Sequence, residues 1–437
     1  MGITLKPVRV GICGFGTVGG GTFNVLQRNC EEITRRTGRA IVVEHIAQRR
    51  PNVNCDTGNT AITDDIFAVA NNPDVDVLVE LIGGHEPAKE LVLTAIRNGK
   101  HVVTANKALI AEHGNEIFEA AHKYNVVVAY EAAIAGGIPI VKALREGLAA
   151  NSINWLAGII NGTGNFILTE MRDKGRAFAD VLKEAQELGY AESDPTFDVE
   201  GIDAAHKLTI LSSVAFGIPL QFEQCYTEGI SKVSAEDVAN AESLGYRIKH
   251  LGLTRRTEAG IELRVHPTLI PEKRLIANVH GVMNAVLVDG NAVGPTMYYG
   301  AGAGAEPTAS SIVADLVDVV RDMAVDQNVR MPSLAFQQDA MSDSPILSMD
   351  NVVTAFYMRM AVSDKPGVLA QITQILGNAG ISIEAIRQQT HVSSQVPVII
   401  LTRPVLEGHM NDAIKAIEAL ADVNGAVTRI RVENLDG

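Results

Sequence analysis

The chain has 437 residues, too long for one ordinary core, so two to four domains are expected at about 100–200 residues each. Hydrophobic residues make up 46% and charged residues 20%, the balance of a soluble globular protein, and the net charge of −14 argues against nucleic acid and anionic membranes as partners. The apolar runs fall short of the ~20 residues a bilayer helix needs, and the N-terminus lacks the apolar segment and cleavage site of a secretory leader. Cys13, Cys30, Cys55 and Cys225 show no metal-ligand spacing, so a reducing, cytoplasmic location is expected.

From Val8 to Tyr130, strand and helix patterns alternate. Val8–Cys13 is a short apolar run, followed by a helical stretch to about Asn29. Ile41–Ala47 and Val75–Ile82 read as strands; the second is apolar almost throughout, as buried parallel strands are. Lys100–Thr104 and Val126–Tyr130 continue the series on either side of the helix-like Lys107–Tyr124. Such alternation predicts right-handed crossovers and a doubly wound α/β domain over residues 1–138. From about Pro139 the pattern changes. Strands are expected at Ile153–Ile160, Glu262–Ile270 and Val279–Val288, with helices at Phe178–Leu188 and Ile202–Ala215, which suggests an α+β domain over residues 139–306. Pro307–Met323 reads as a helix within a segment, 307–330, expected to pack back on the first domain. Residues 331–350 are polar, with Pro and Asp, and read as a linker. The remainder, 351–437, has the order βαββαβ: strand Thr354–Val362, helix Gly367–Asn378, strands Ser382–Val392 and Val396–Thr402, helix Glu407–Ala421, and strand Ala426–Val432.

Within Gly11–Gly21, Gly14-x-Gly16-x-x-Gly19 follows a predicted strand and opens a predicted helix. Gly14 allows the tight turn, Gly16 lets the backbone approach a pyrophosphate, and Gly19 permits close helix–strand packing. With Phe15, Thr17 and Val18, this loop is the expected dinucleotide cradle, the helix N-terminus supplying N–H donors to the phosphates. A turn chosen only for packing is the alternative. NAD sites usually carry Asp or Glu after the second strand; here the residues are Arg49 and Arg50, which can accept a 2′-phosphate and favour NADP over NAD, unless they form a solvated basic turn. Gly83-Gly84 and Thr104-Ala-Asn-Lys107 end parallel strands at the carboxyl edge of the sheet, where ligands bind in such folds.

Asn161-Gly162-Thr163-Gly164-Asn165 ends a strand and starts a helix, a turn that caps the helix or binds a substrate carboxylate through its N–H groups. The stretch Gly189–Lys207 clusters Glu192, Asp194, Asp198, Glu200 and Asp203 ahead of Lys207. Asp203 and Lys207 stand four apart, on one helix face shared with Ile210 and Val214, which puts Lys207 beside the core and suits it to proton transfer. An ordinary surface salt bridge is the alternative. The glycine-rich turn Glu131–Ile138 could present backbone carbonyls to a small cation.

Together these motifs resemble the homoserine dehydrogenases over nearly the whole chain: GxGxxG at Gly14–Gly19, TANK at Thr104–Lys107, EAAIAGGIP at Glu131–Pro139, NGTGNFIL at Asn161–Leu168, and GYAESDPTFDVEGIDAAHKLTIL at Gly189–Leu211. A second glycine stretch, Tyr299–Ala309, looks like that family's cofactor-closing loop and includes Gly302. The resemblance implies reduction of L-aspartate 4-semialdehyde to L-homoserine by hydride from NAD(P)H, on the route to threonine, methionine and isoleucine. It places Lys207 as proton donor, Lys107 at the nicotinamide and substrate end with Thr104 and Gly83, and Asp203 as an acidic partner. Glu192 and Asp198 become substrate-binding carboxylates beside Gly162 and Thr163. It carries a sodium site onto Glu131, Ile134, Gly136 and Ile138. One departure is the path from the glycine loop to the second strand, lengthened by Glu31–Arg39.

The last segment resembles an ACT domain, its loop-to-helix turn being Asp364-Lys365-Pro366-Gly367-Val368-Leu369. Pro366 has the φ a helix start needs and Asp364 can cap the first N–H groups. The resemblance implies an amino-acid effector, L-threonine, bound at Asp364, Pro366, Gly367, Val368 and Leu369, and a homodimer or homotetramer. A chain opening on its first sheet strand is expected to have no kinase ahead of it. A non-catalytic nucleotide and amino-acid sensor is the competing class; the lysine pair argues against it.

Overall fold

Six short segments pair in parallel: Val8–Cys13 (β1), Ile41–Ala47 (β2), Ala61–Thr63 (β3), Val77–Glu80 (β4), His101–Thr104 (β5) and Val128–Ala129 (β6). Their order in the computed structural model, which describes residues 6–388 and 395–436, is β3-β2-β1-β4-β5-β6. β1, β4, β5 and β6 are buried almost throughout, which is why they read as unbroken apolar runs. The strand order reverses between β1 and β4, and at such a reversal the loops at the carboxyl ends of the strands part to form a crevice. This is the doubly wound dinucleotide-binding fold the sequence predicts.

Four helices matter for the site: Thr17–Arg28 (α1), Lys107–Lys123 (α2), Ile202–Phe216 (α3) and Ala305–Asp322 (α4). Phe23, Val25 and Leu26 of α1 and Ile312, Leu316 and Val319 of α4 share one core with Val8, Val10 and Ile12. A separate helix, Cys30–Thr37, closed by Gly38 at φ +71, accounts for the long path to β2. Ile153–Ile159 (β7), Met283–Gly290 (β8) and Gly294–Ala301 (β9) pair antiparallel in the order β7-β8-β9. All these elements fall in one compact unit built from residues up to Gly162, Asp203–Cys225 and Val282–Asp343.

The second unit gathers Thr163–Ile202, Tyr226–Gly281 and the chain from Ser344 onward. Its last part has strands Val353–Ser363 (β10), Ile383–Gln388 (β11), Gln395–Thr402 (β12) and Val423–Val432 (β13), with helices Val368–Asn378 (α5) and Glu407–Glu418 (α6). The sheet order β13-β10-β12-β11 is the ferredoxin-like arrangement that βαββαβ predicts. A long hairpin, Tyr246–Thr257 with Gly260–Pro271, extends this sheet: Thr268 and Leu269 pair in parallel with Arg431 and Val432 of β13.

Two expectations need correction, and one strand was not anticipated. The strand expected at Val279–Val288 begins only at Met283, after the short helical turn Leu275–Asn278. The strand Tyr246–Thr257 escaped notice because Arg247, Lys249, His250 and Arg255 break its apolar pattern, although Lys249 and His250 are buried. Asp364 does not cap α5. Gly367 occupies the N-cap position at φ +92, a left-handed conformation that glycine adopts without strain, and no side chain bonds the first turn there. The expected strand Ser382–Val392 is seen as β11, and its last residues lie outside those described.

Two buried arginines of the second unit are paired with acids. Arg264, fully buried, reaches Glu262 at 2.8 Å and Glu433 at 2.5 Å, while Arg431 reaches Glu407 at 2.8 Å and Glu228 at 2.7 Å. Removing one member of such a set strands charge away from water. Arg264→Met is expected to cost about 3–5 kcal/mol, read as a lowered midpoint in chemical denaturation. Adding Glu262→Gln and Glu433→Gln should restore most of the loss; a single variant as stable as the parent would show that the network contributes nothing.

Candidate active site

The three glycines of the loop differ in their surroundings. Gly14 sits at φ +96, and a Cβ there would meet the Leu81 carbonyl at 2.5 Å. A Cβ on Gly19 would meet the Gly14 carbonyl at 2.2 Å, whereas Gly16 faces open space. The one glycine not needed for packing is thus the one assigned to the pyrophosphate. Phe15 is buried against Phe23, and Thr17 and Val18 begin α1. In front of the loop lies a cavity lined by Gly16, Thr17, Asn24, Arg50, Asn52 and Glu306, among others. Asn52, not singled out from the sequence, donates to the carbonyls of Phe15 and Gly16 at 3.2 and 3.0 Å and so fixes the loop. Arg50 borders this cavity; Arg49 is exposed after β2.

At the carboxyl edge, Glu80 ends β4 and is buried. Its carboxyl group accepts from the N–H groups of Ile82 at 2.8 Å and Gly83 at 3.1 Å, and from the Thr104 hydroxyl at 2.6 Å. Burial raises its pKa above the usual carboxylate range against these bonds. Glu80 thereby holds two strand ends and the Gly83 turn, at φ +73, in register. Asn106 caps α2 by accepting from Leu109 N–H at 3.1 Å and donates to the Gly84 carbonyl at 2.7 Å. That cap places Lys107 in the first turn of α2.

Lys107 Nζ lies 2.8 Å from Asp203 Oδ1, and Lys207 Nζ lies 2.7 Å from Asp203 Oδ2. Lys207 also donates to the Ile160 carbonyl at 2.7 Å, and Asn161 Nδ2 donates to Asp203 Oδ2 at 2.9 Å. Burial alone would raise the Asp203 pKa, but Lys207 and Lys107 together hold it far below the usual carboxylate range. The Lys207 side chain is 10% exposed and that of Lys107 33%, so this is no surface salt bridge. His206, the neighbour of Lys207, is buried, stacks on Phe222 and bonds Glu112 at 2.9 Å. Burial lowers its pKa, so the ring is neutral near pH 7 and donates through Nε2.

The other predicted residues are placed as follows. Gly162 begins a helix, Gly162–Lys174, where a Cβ would meet the Val282 carbonyl at 2.8 Å. The Thr163 hydroxyl donates to the Tyr190 carbonyl at 2.6 Å. Glu192 is exposed and Asp198 half-buried, both within the second unit. Gly302 packs against Asn284, and its carbonyl lies 2.5 Å from where a Gly136 Cβ would sit. The second glycine loop and the Glu131–Ile138 turn therefore touch.

In that turn Ala135 and Gly136 are consecutive left-handed residues at φ +52 and +51. Ile134 and Ile138 are buried. The Glu131 carboxylate accepts from Val141 and Lys142 N–H, both at 2.8 Å, and Glu131 N–H donates to Asp315 at 2.8 Å. Burial raises both acids, and the neighbouring Glu131 charge raises Asp315 further, to about 8. A buried, oxygen-rich turn beside two such carboxyls suits a hard monovalent cation.

Residues 139–317 match the homoserine dehydrogenase family, 14–131 the NAD-binding domain of homoserine dehydrogenase, and 357–422 the ACT domain. The homoserine dehydrogenase of Pseudomonas aeruginosa is 68% identical over 99% of this chain and all of its own. The chain belongs to the homoserine dehydrogenase family. It is an NAD(P)-dependent oxidoreductase carrying an ACT domain. The family's Neisseria gonorrhoeae member is 56% identical over the same shares. A crystal structure of the Thiobacillus denitrificans homoserine dehydrogenase, 63% identical, superposes with a TM-score of 0.95, covering 99% of this chain and all of that one. A hyperthermophilic archaeal homoserine dehydrogenase in complex with NADPH, 26% identical, covers 73% of this chain and 98% of that one at a TM-score of 0.61.

The open space at Gly16 has a direct test. Gly16→Ala should leave the thermal midpoint near the parent's while weakening NADPH binding, measured by fluorescence titration, at least tenfold. Unchanged binding would move the pyrophosphate away from this loop.

Proposed function

We propose that the protein reduces L-aspartate 4-semialdehyde to L-homoserine, reversibly, using the carboxylate-bridged pair Lys107–Asp203–Lys207. That bridged pair is the observation that carries the reading. When bound, the reduced nicotinamide supplies the hydride. Hydride arrival at the aldehyde carbon leaves negative charge on the former carbonyl oxygen, which a nearby ammonium stabilises and protonates. Lys207, the more buried of the two, is assigned as the donor; Lys107, partly exposed, is assigned to the substrate and nicotinamide end and can return a proton from solvent. Asp203 holds both in position. Glu192 and Asp198 are assigned to the substrate ammonium, and Gly162 and Thr163 to the substrate side of the helix start. The cofactor is assigned to Gly14–Gly19 with Gly83, Thr104 and Gly302. Arg50, bordering the cavity before the glycine loop, and Arg49 support a preference for NADP through a 2′-phosphate.

The same reading places the enzyme in threonine, methionine and isoleucine biosynthesis in the cytoplasm. It forms a homodimer or homotetramer, with residues 1–138, 139–306 and 351–437 as cofactor, substrate and regulatory parts. L-Threonine is the proposed effector, at Asp364–Leu369 of the ACT domain. Inhibition requires threonine to prefer one of two states of the enzyme. No helix among the described residues is long and apolar enough to cross a membrane.

Steady-state absorbance of reduced nicotinamide, with homoserine plus NAD or NADP and with or without threonine, tests this directly. Turnover should be homoserine-dependent, faster with NADP, and suppressed by threonine. Lys207→Ala should lower kcat by ~10²–10⁴ with nucleotide binding intact. Near-parental turnover in that variant would remove Lys207 from the proton transfer.

Sodium is assigned to Glu131, Ile134, Gly136 and Ile138, and the buried carboxyls give it a signature. Asp315 binds its proton more tightly folded, at about 8, than at the ordinary aspartate value of 3.8. The folded state therefore holds the extra proton between those limits, and its contribution to stability is lost as pH rises through about 8. Sodium beside these acids should reduce that loss. The thermal midpoint in choline chloride should fall from pH 6 to 9 more steeply than in sodium chloride, and Asp315→Asn should flatten the choline curve. Identical curves in both salts would count against a cation here.

A further inference from the structure

We propose that His85, Glu112 and His113 form a binding site for a divalent transition-metal ion of the zinc class, separate from the lysine pair and independent of the functional reading above. The three residues come from two places. His85 follows the Gly83-Gly84 turn after β4, and Glu112 and His113 are consecutive on α2. One ligand atom from each lies within 4.8 Å of the others. His85 Nε2 stands 3.6 Å from Glu112 Oε1, close to the separation of two ligands on a tetrahedral ion with bonds of about 2.0–2.2 Å. The His85 and His113 rings meet edge to face at 5.6 Å, 88° apart, rather than stacking.

The donor set is two imidazoles and a carboxylate. That set suits zinc and its neighbours and leaves a fourth position for water. Sodium, calcium and magnesium, which take oxygen, are poorly served by it. The site also has the outer support that metal carboxylates carry. Buried His206 donates to Glu112 at 2.9 Å and fixes the orientation of its carboxylate. The His85 and Glu112 side chains are 44% and 32% exposed, so an ion can enter without opening the fold. A bound ion would tie the turn carrying Gly83 and Gly84 to α2, the helix that begins at Lys107. That bracing restrains the carboxyl edge of the sheet without touching the lysines.

The full-length, tag-free protein, stripped with chelator, is titrated with Co²⁺ and followed by visible absorption. Four-coordinate cobalt gives intense ligand-field bands that hexa-aqua cobalt lacks. One equivalent should bind with those bands, and one equivalent of Zn²⁺ should erase them. His113→Gln and His85→Gln should each weaken binding at least tenfold, while His409→Gln, exposed on α6, should match the parent. Saturable binding that persists in both ligand variants would place the ion elsewhere and overturn the proposal. So would the absence of saturable binding to the parent up to millimolar cobalt.

Discussion

One carboxylate between two ammonium groups organises the first unit. Asp203 accepts from Lys107 through one oxygen and from Lys207 through the other, at 2.8 and 2.7 Å. A lone lysine or aspartate buried this deeply would pay several kcal/mol in lost hydration, a cost that pairing offsets only when the geometry is good. The geometry here is supplied by three element ends. Lys107 opens α2 just after β5, Asp203 and Lys207 lie one turn apart on α3, and the Ile160 carbonyl that receives Lys207 follows β7. None of the three can shift without breaking the bridge. The formal charge of the three side chains is +1, which suits a place where an oxygen is to become negative.

The sheet edge shows a second constraint of the same kind. Glu80 is an acid at the end of a strand that is otherwise apolar, and its three hydrogen bonds explain why it is tolerated there. It fixes the Gly83 turn, the β5 end and, through the Thr104 hydroxyl that accepts from Asn106 N–H, the start of the helix bearing Lys107. Asn52 does likewise for the glycine loop by holding two of its carbonyls. In the second unit, Arg264 and Arg431 are buried with their acids, and these pairs join the hairpin strand Gly260–Pro271 and Glu228 to β13 and α6 of the ACT fold. The ACT fold is thus continuous, by sheet pairing and by ion pairs, with part of the central segment.

Much of this was legible in advance. GxGxxG after an apolar strand led to the expected cradle because each glycine has a different steric duty, and the structure shows close packing at Gly14 and Gly19 and open space at Gly16. The i,i+4 spacing of Asp203 and Lys207 predicted their contact, since a helix allows little else. The ACT order βαββαβ followed from alternating periods. Other features were hidden. Tyr246–Thr257 carries cations that mask its burial, because their partners, Asn165 and Val279 for Lys249, come from distant positions. Glu80 ends an apolar strand, and nothing local says that Thr104 will meet it. His85, Glu112 and His206 lie too far apart in the chain for any spacing rule to join them. Asp364 was expected to cap a helix whose N-cap is instead Gly367, at φ +92, with no side chain bonding its first turn.

The sequence by itself determined what depends on nearest neighbours along the chain: the glycine turn, the strand and helix periods, the helical acid–lysine pair, and the motifs that mark the family. These are local because φ, ψ and side-chain periodicity act over a few residues. Tertiary structure alone decided which distant groups share a carboxylate, which charges are buried, and how the chain divides. Residues 163–202 and 226–281 cluster with the ACT domain, while 203–225 and 282–343 cluster with the N-terminal sheet. That interleaving has no local signature. It is set by which apolar faces and buried charges find partners once the elements have formed, and a linear reading of the chain carries no information about that pairing.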